Sequence, residues 1–185
     1  MKKSLLIATF VACGFLAKAQ STKYHAFKVD VDFGYAIPSS GSTGSNGVKA
    51  GATFTIEPHY RLSDAFAVGL RIEGAALAYA SPNGSGGYDN AKAAILTSYC
   101  ATGEYYLSNN GFRPFVGGGV GFFTQSALKL LNSSYYLPSS TGAGFFPRVG
   151  FEAGHFRMSG AYNIVGHNNS YLAFTIGAFF GGGKK

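Results

Sequence analysis

Cysteine is scarce in this chain, and positive charge is nowhere concentrated. The 185 residues include two cysteines, Cys13 and Cys100. Cys13 falls inside the export signal described below, so Cys100 has no partner in the exported chain and an intrachain disulfide is excluded. The remaining lysines and arginines are scattered rather than gathered into long runs. The basic face expected of a nucleic-acid-binding protein is therefore missing.

Helical periodicity and phosphate-binding motifs are also absent after the first 19 residues. No segment keeps the 3.6-residue period of an amphipathic helix. The glycines at 117–121 do not form a dinucleotide fingerprint, because Thr124 occupies the last glycine position counted from Gly119 and no helix follows. Gly183 and Lys184 lack the hydroxyl residue and the helix of a phosphate loop. We expect no nucleotide cofactor.

The histidines are too dispersed to suggest a metal centre or a catalytic base. They stand at His25, His59, His155 and His167, on different segments of the chain. Ser159 lies near His155, but a nucleophile needs both a base and a group that orients the base, and no such set is evident. We therefore expect no catalytic, cofactor-binding or metal-binding residues and no enzymatic activity.

The N-terminus has the three parts of a secretory signal peptide. Lysines follow Met1, an apolar segment covers 4–16, and small residues stand at Ala17 and Ala19. Cleavage after Ala19 makes Gln20 the first mature residue. The sequence thus divides into a signal peptide, 1–19, and one exported domain, 20–185. Loss of the three lysines of the signal lowers the formal charge from +7 to +4.

Two other interpretations of this N-terminus are less consistent with its residues. A permanent transmembrane anchor needs about 20 apolar residues, more than the segment provides. Lipid attachment at Cys13 is disfavoured because Phe10, Val11 and Ala12 are a poor approach to a lipidated cysteine. Either alternative would change the anchor and leave the exported domain unchanged.

What the chain does contain is a repeated alternation of apolar and polar residues. From Phe27 to Ile37 every odd position is apolar, while Lys28, Asp30 and Asp32 occupy even positions. A period of two places successive side chains on opposite faces of a β-strand. Strands are predicted near 24–37, 48–60, 65–80, 92–107, 112–125, 143–153, 156–165 and 171–181.

The connections between these strands alternate between two kinds. Long segments rich in glycine, serine and asparagine occupy 38–47, 81–91 and 126–142, with a shorter one at 166–170. Tight turns are predicted at 61–64, 108–111 and 154–155. Long loops at one rim and short turns at the other are typical of outer-membrane barrels. We predict an all-β fold, an eight-stranded antiparallel up-and-down transmembrane β-barrel.

Strand parity separates the charged residues from the large apolar ones. The inward phase is predicted to carry a charge network of Lys28, Asp30, Asp32, Glu57, His59, Arg71, Glu73, Glu104, Arg113, Arg148, Glu152 and Arg157. Valine, isoleucine, leucine and phenylalanine dominate the outward phase. A charge facing lipid at the bilayer midplane costs roughly 2–4 kcal/mol, so this sorting fits a lipid-facing exterior. Gly117, Gly119 and Gly121 share the inward phase and leave room for bulky side chains from other strands.

The turns predict specific cross-strand neighbours. A two-residue hairpin at Gly154–His155 places Glu152 opposite Arg157. The same count across 108–111 places Tyr106 opposite Arg113, with Glu104 on the diagonal.

Several segments resemble a known family. The stretch Arg113–Phe123, RPFVGGGVGFF, is similar to the R/K-P-Y-V-G-x-G-x-G strand of the small outer-membrane β-barrels that include the OmpA transmembrane domain and OmpX, and the segment 147–152 resembles a later strand of that family. The resemblance implies an integral outer-membrane location in a Gram-negative bacterium of the Bacteroidetes type. The chain departs from the family pattern at its end, because five residues follow Phe180 where a terminal aromatic residue is usual.

Three functions fit these observations. The favoured one is a structural or surface-interaction protein in outer-membrane lipid, which meets an extracellular partner through loops 38–47, 81–91 and 126–142. The third loop is rich in leucine and tyrosine. A narrow ion or solute channel is the first alternative. A soluble lipocalin-like binding barrel is the second, and it requires the apolar residues to face inward.

Overall fold

The computed structural model describes residues 23–39, 48–82, 88–126, 128–129, 136–137, 139–166 and 170–185. The predicted signal peptide and its cleavage site at Ala17, Ala19 and Gln20 lie outside these ranges. So do large parts of the three predicted long loops. Among the described residues no helix has the length and apolar composition needed to cross a bilayer.

Eight long antiparallel strands close into a barrel, which confirms the predicted fold class. In order around the barrel the strands are β1, β10, β9, β8, β5, β4, β3 and β2. A small separate hairpin, β6 with β7, accounts for the jump from β5 to β8. The bounds are β1 Phe27–Pro38, β2 Val48–Arg61, β3 Phe66–Pro82, β4 Tyr88–Tyr106, β5 Phe112–Gln125, β6 Leu128–Lys129, β7 Tyr136–Leu137, β8 Ser140–Ala153, β9 Phe156–Val165 and β10 Tyr171–Gly181.

The strands β3 and β4 are longer than the sequence pattern predicts. They continue through most of the predicted loop 81–91, and Pro82 pairs with Tyr88. Ser81 also takes part, paired with Asp89. Residues 83–87 are the part of the loop that lies outside the described residues. The predicted loop 126–142 likewise contains the short β6–β7 hairpin, and β8 already begins at Ser140.

The predicted hairpin at Gly154–His155 is confirmed. Ala153 pairs with Phe156, and Glu152 pairs with Arg157. Gly154 has a φ of 62°. Glycine at the first turn position with positive φ is typical of the two-residue turns that suit twisted hairpins.

The predicted pairing register across the β4–β5 turn is wrong by two residues. Tyr106 pairs with Phe115, and Arg113 pairs with Glu152 on β8 instead. The amide of Leu107 donates to the carbonyl of Pro114 at 2.8 Å, but Pro114 has no N–H to return. The ladder therefore ends at Pro114, and the turn is wider than four residues. Because the shift is two, the inward phase of Arg113 is unchanged.

The barrel carries its large apolar side chains on the outside. Phe33, Leu70, Val120, Val149 and Phe180 are each more than 60 % exposed, and they come from different strands around the barrel. Soluble proteins bury such residues, so an apolar belt of this kind needs another apolar phase around it.

The lumen has two layers. Near the rim formed by the tight turns, here called the short-turn rim, the interior side chains are mostly charged. Toward the opposite, long-loop rim the interior is an apolar cluster of Ala36, Ala75, Leu77, Leu96, Cys100, Phe123, Phe146, Ala161, Val165, Tyr171 and Ala173. Strand parity predicts the charged layer, whereas the apolar layer was not predicted. Both layers are filled by side chains, as expected for eight strands.

The five residues after Phe180 are part of the barrel. Tyr24 bridges Lys184, and the amide of His25 donates to the carbonyl of Gly183 at 2.9 Å. Gly181 and Gly182 have φ values of 75° and 62°. This left-handed conformation is open to glycine, and it redirects the chain so that the tail pairs with residues 23–25.

Candidate functional site

The polar interior of the barrel is the candidate site. All twelve residues predicted for the inward phase are buried, and so is Arg61, for which a turn was predicted. Arg61 continues the odd-numbered alternation of Glu57 and His59. Extending the strand by one residue would have identified it.

Arg157 on β9 joins four strands at the centre of the charged layer. Its Nη1 lies 2.9 Å from Oε1 of Glu152, and its Nη2 donates to Glu104. Its Nε lies 3.3 Å from Oδ2 of Asp30 and 3.6 Å from Oδ2 of Asp32. The Arg157 side chain is fully buried. One guanidinium therefore compensates carboxylates from β1, β4 and β8.

Lys28 on β1 forms a second buried centre beside Arg157. Its ammonium donates to Glu152 and, at 2.9 Å, to the hydroxyl of Tyr106. It also lies 3.1 Å from Oδ1 of Asp30. The Tyr106 hydroxyl in turn donates to Glu104 at 2.8 Å. Tyr106 thus links the lysine to a carboxylate on its own strand.

Glu57 on β2 is held from across the lumen by Arg148 on β8. The two guanidinium nitrogens of Arg148 lie 2.5 and 2.9 Å from the two carboxylate oxygens of Glu57. This is the bidentate geometry that fixes orientation as well as charge. The hydroxyl of Thr102 donates to Glu57 at 2.6 Å. His59 Nε2 lies 3.2 Å from Glu57 Oε1 and 3.0 Å from Asp30 Oδ2.

A smaller polar group lies at the boundary with the apolar layer. Arg71 on β3 donates to Oδ1 of Asn163 at 2.7 Å, and its guanidinium carbon lies 3.6 Å from the centre of the Phe146 ring. Glu73 accepts hydrogen bonds from Tyr171 and from Thr55. Polar residues such as Asn163 and Tyr171 carry no charge, so a search for charges alone missed them.

Aromatic rings close the charged layer at the short-turn rim. The guanidinium of Arg113 lies 4.2 Å from the centre of the Tyr24 ring and 4.1 Å from that of Tyr106. Arg61 lies 5.1 and 4.8 Å from the same two rings. The hydroxyl of Tyr24 donates to the carbonyl of Asn109 at 2.8 Å. Tyr24 therefore covers the mouth of the barrel.

Among the described residues the buried bases and acids are equal in number. Six bases (Lys28, Arg61, Arg71, Arg113, Arg148, Arg157) stand against six acids (Asp30, Asp32, Glu57, Glu73, Glu104, Glu152). Asp30, His59 and Glu104 bring possible metal-ligating atoms within 4.8 Å of one another. Lys28 and Arg157 already compensate these two carboxylates. A divalent cation would add two uncompensated positive charges, so the donor set does not fit one.

The spaces in and on the described part of the barrel include an interior cavity and an outer groove. An interior cavity of about 10 Å³ lies among Asp32, Thr55, Arg71, Glu73 and Arg148. That is roughly the volume one water molecule needs. A shallow groove of about 490 Å³ lies on the outer face over Ala101, Gly118, Val120, Phe145 and Pro147. Its walls are apolar, and it offers no group for catalysis.

The side chains considered for nucleophilic chemistry have other partners. His155 Nδ1 lies 3.0 Å from the carbonyl oxygen of Phe179. The hydroxyl of Ser159 lies 2.8 Å from that of Thr175 inside the barrel. The structure does not bring His155 and Ser159 together, and His167 lies outside the described residues.

Comparison with known proteins gives matches at the level of structure. No family model matches the chain, and no curated protein matches its sequence. The outer membrane protein OprG from Pseudomonas aeruginosa superposes with a TM-score of 0.57 at 16 % identity, over 89 % of this chain and 100 % of that one. Neisserial surface protein A (NspA) gives 0.53 at 18 % identity, over 84 % and 96 %. The N-terminal β-barrel domain of Pseudomonas aeruginosa OprF gives 0.50 at 15 % identity, over 85 % and 100 %. The chain has the fold of the small eight-stranded outer-membrane barrels, the fold that its resemblance to the OmpA and OmpX family implies.

Proposed function

We propose that the protein is an integral outer-membrane barrel with a closed lumen and a structural or surface-interaction role. The observation that carries the proposal is the inverted sorting of its side chains. Twelve charged side chains are buried inside, while large apolar side chains are exposed around the outside. This arrangement is stable where the surroundings are hydrocarbon. The solved structures with this fold that are described as outer membrane proteins support the same location.

The strand lengths support a barrel that extends beyond the bilayer at its long-loop rim. A membrane-spanning strand needs about 9–11 residues, whereas β3 and β4 have 17 and 19. The excess lies at the end where the segments 38–47, 81–91 and 126–142 connect the strands. We infer that these segments meet an extracellular partner.

A channel and a soluble binding barrel are less consistent with the lumen. A channel needs a continuous aqueous path, but the charged layer is crossed by ion pairs and the apolar layer is packed by Phe123 and Phe146. A lipocalin-like barrel needs an apolar pocket with a polar exterior, the reverse of the observed sorting. The partners of His155 and Ser159 also favour a role without catalysis.

Membrane fractionation combined with a heat-dependent gel shift tests the proposal. We expect the protein in the outer-membrane fraction, and we expect unheated samples to migrate differently from heated ones because the barrel stays folded in detergent. A soluble periplasmic protein would contradict the membrane location and favour the binding barrel. Release of the protein by carbonate washing would show a peripheral attachment instead.

A further inference from the structure

The carboxylate of Asp32 on β1 lacks a hydrogen-bond donor at one of its oxygens. Asp32 is only 2 % exposed, and its Oδ2 lies 3.6 Å from Nε of Arg157. That guanidinium already donates to Glu104 and Glu152. Within the described part of the chain no group donates a hydrogen bond to Oδ1 of Asp32. An unpaired polar atom inside a protein is costly, so we expect a donor at this oxygen.

The interior cavity of about 10 Å³ is where such a donor can be held, because Asp32 lines it. Thr55 on β2, Ser159 on β9 and Thr175 on β10 lie in the same wall, with Arg148 on β8. A volume of roughly 10–15 Å³ on this measure accommodates one water molecule. Size therefore restricts the ligand to a water molecule or a small monatomic ion.

The wall of the cavity offers both donors and acceptors. The contact of 2.8 Å between the hydroxyls of Ser159 and Thr175 uses one of their two hydrogens and leaves the other. The hydroxyl of Thr55 donates to Glu73 at 3.2 Å, so its oxygen can still accept. Nε of Arg148 has no acceptor among the described residues. With the carboxylate oxygen these groups complement a water molecule, which donates two hydrogen bonds and accepts up to two.

The charges of the wall favour a neutral ligand. Asp32 and Glu73 stand against Arg71 and Arg148 among the residues that line the cavity. A cation would add an uncompensated positive charge in a buried position, and an anion would add a negative one. Of the ligands that fit by size, water is the one that leaves the wall balanced.

We propose that this cavity is the binding site of one structural water molecule, which donates to Oδ1 of Asp32 and connects β1 with the hydroxyls of β2, β9 and β10. The water completes the hydrogen bonding of a carboxylate at the boundary between the charged and the apolar layer. The site concerns the lumen alone and is independent of what the loops contact.

A crystal structure of the native protein, at a resolution that shows ordered water, tests the site directly. We expect a density peak within about 3 Å of Oδ1 of Asp32 and of at least one hydroxyl among Thr55, Ser159 and Thr175. A cavity without density beside an Asp32 side chain in the same position would overturn the proposal.

The identity of the ligand is tested by exchanging salts. The thermal midpoint of the native protein is measured in sodium, potassium and choline chloride at equal ionic strength. We expect equal midpoints, because a water site does not depend on the cation supplied. A midpoint that follows the identity of the cation would overturn the proposal in favour of a cation site.

A cavity-filling variant tests whether the water serves Asp32. Ala161 lines the cavity, so Ala161→Val displaces the water. Its loss of thermal midpoint is measured in the native chain and in Asp32→Val. Valine is no smaller than aspartate and creates no space, but it needs no hydrogen bond. We expect the loss in the Asp32→Val background to be smaller by about half or more, since coupled sites are not additive.

The matched control is an inward alanine that belongs to the apolar layer. Ala36 is buried on the same strand as Asp32, four residues away. The loss caused by Ala36→Val should be equal in both backgrounds, because distant sites are additive. An Ala161→Val loss that is equal or larger in the Asp32→Val background would show crowding alone and overturn the proposal.

Discussion

Glu152 and Arg157 face each other directly across the Gly154–His155 turn, with Arg157 Nη1 2.9 Å from Glu152 Oε1 inside the barrel. Arg157→Met leaves the acids of this layer with one base too few. Removing one partner of a buried pair costs on the order of 3–5 kcal/mol. We expect the double variant Glu152→Gln, Arg157→Met to be more stable than Arg157→Met alone, measured by urea unfolding in lipid vesicles.

A second double variant tests whether the rescue comes from restored charge balance or from the Glu152–Arg157 contact itself. Glu104→Gln with Arg157→Met also restores the charge balance, because Glu104 is another direct partner of Arg157. We expect it to rescue stability to a similar extent. A double variant no more stable than Arg157→Met in both cases would show that charge balance does not govern this layer.

The outer face is expected to reject charge. Val31 and Ile176 point outward on β1 and β10, so Val31→Arg and Ile176→Arg place a cation in hydrocarbon at a cost of roughly 2–4 kcal/mol each near the midplane. Folding yield in vesicles should fall for both. Val31→Leu is the size control and should fold as well as the native chain. Unchanged yield for Val31→Arg would contradict a lipid-facing β1.

The two rims should differ in accessibility on intact cells. Epitope tags inserted near Gly44 and Gly86, in the long-loop segments outside the described residues, are expected to react with antibody. A tag near Asn109, in an exposed turn at the short-turn rim, should react only after the cells are opened. Labelling at Asn109 in unbroken cells would reverse the proposed orientation.

The inward glycines of β5 are expected to be irreplaceable by larger residues. A Cβ at Gly119 would lie 2.6 Å from the carbonyl oxygen of Ala101 and 2.8 Å from the Phe146 ring. Gly119→Ala should therefore destabilise the barrel by about 1–3 kcal/mol through overpacking. Gly74→Ala is the control, since a Cβ there meets nothing within 4 Å. Equal unfolding midpoints for the two variants would refute the close packing.

A closed lumen predicts no conductance. Purified protein in a planar bilayer should give no discrete current steps, because ion pairs and packed rings block the path. Arg148→Gln tests whether any observed current passes through this barrel. Removal of a lumen charge would change such a current. Steps that respond to Arg148→Gln would establish the channel alternative.

Much of the architecture was readable from the sequence because alternation with a period of two fixes which face each residue takes. The phase of Lys28, Glu104 and Arg157 followed from counting along single strands. A shift of two residues at the β4–β5 turn left that phase intact, which is why the inward position of Arg113 was correct while its predicted neighbour was wrong.

Other features depend on contacts between distant segments and leave no local pattern. The cover formed by Tyr24 requires the pairing of residue 24 with residue 184, which only the closed barrel creates. The apolar layer is built from single alanines and phenylalanines on several strands.

The pairing of Tyr24 with Lys184 also has a topological consequence. It brings the two ends of the described chain side by side, with the amide of Lys185 donating to the carbonyl of Lys23 at 3.0 Å. A short linker could join these ends, and a new start could be cut at the exposed turn near Asn110. Such a circular permutant would retain the eight-strand ring, but β5 would become its first strand and β4 its last. The barrel would then be closed by the pairing of β4 with β5 instead of that of β1 with β10.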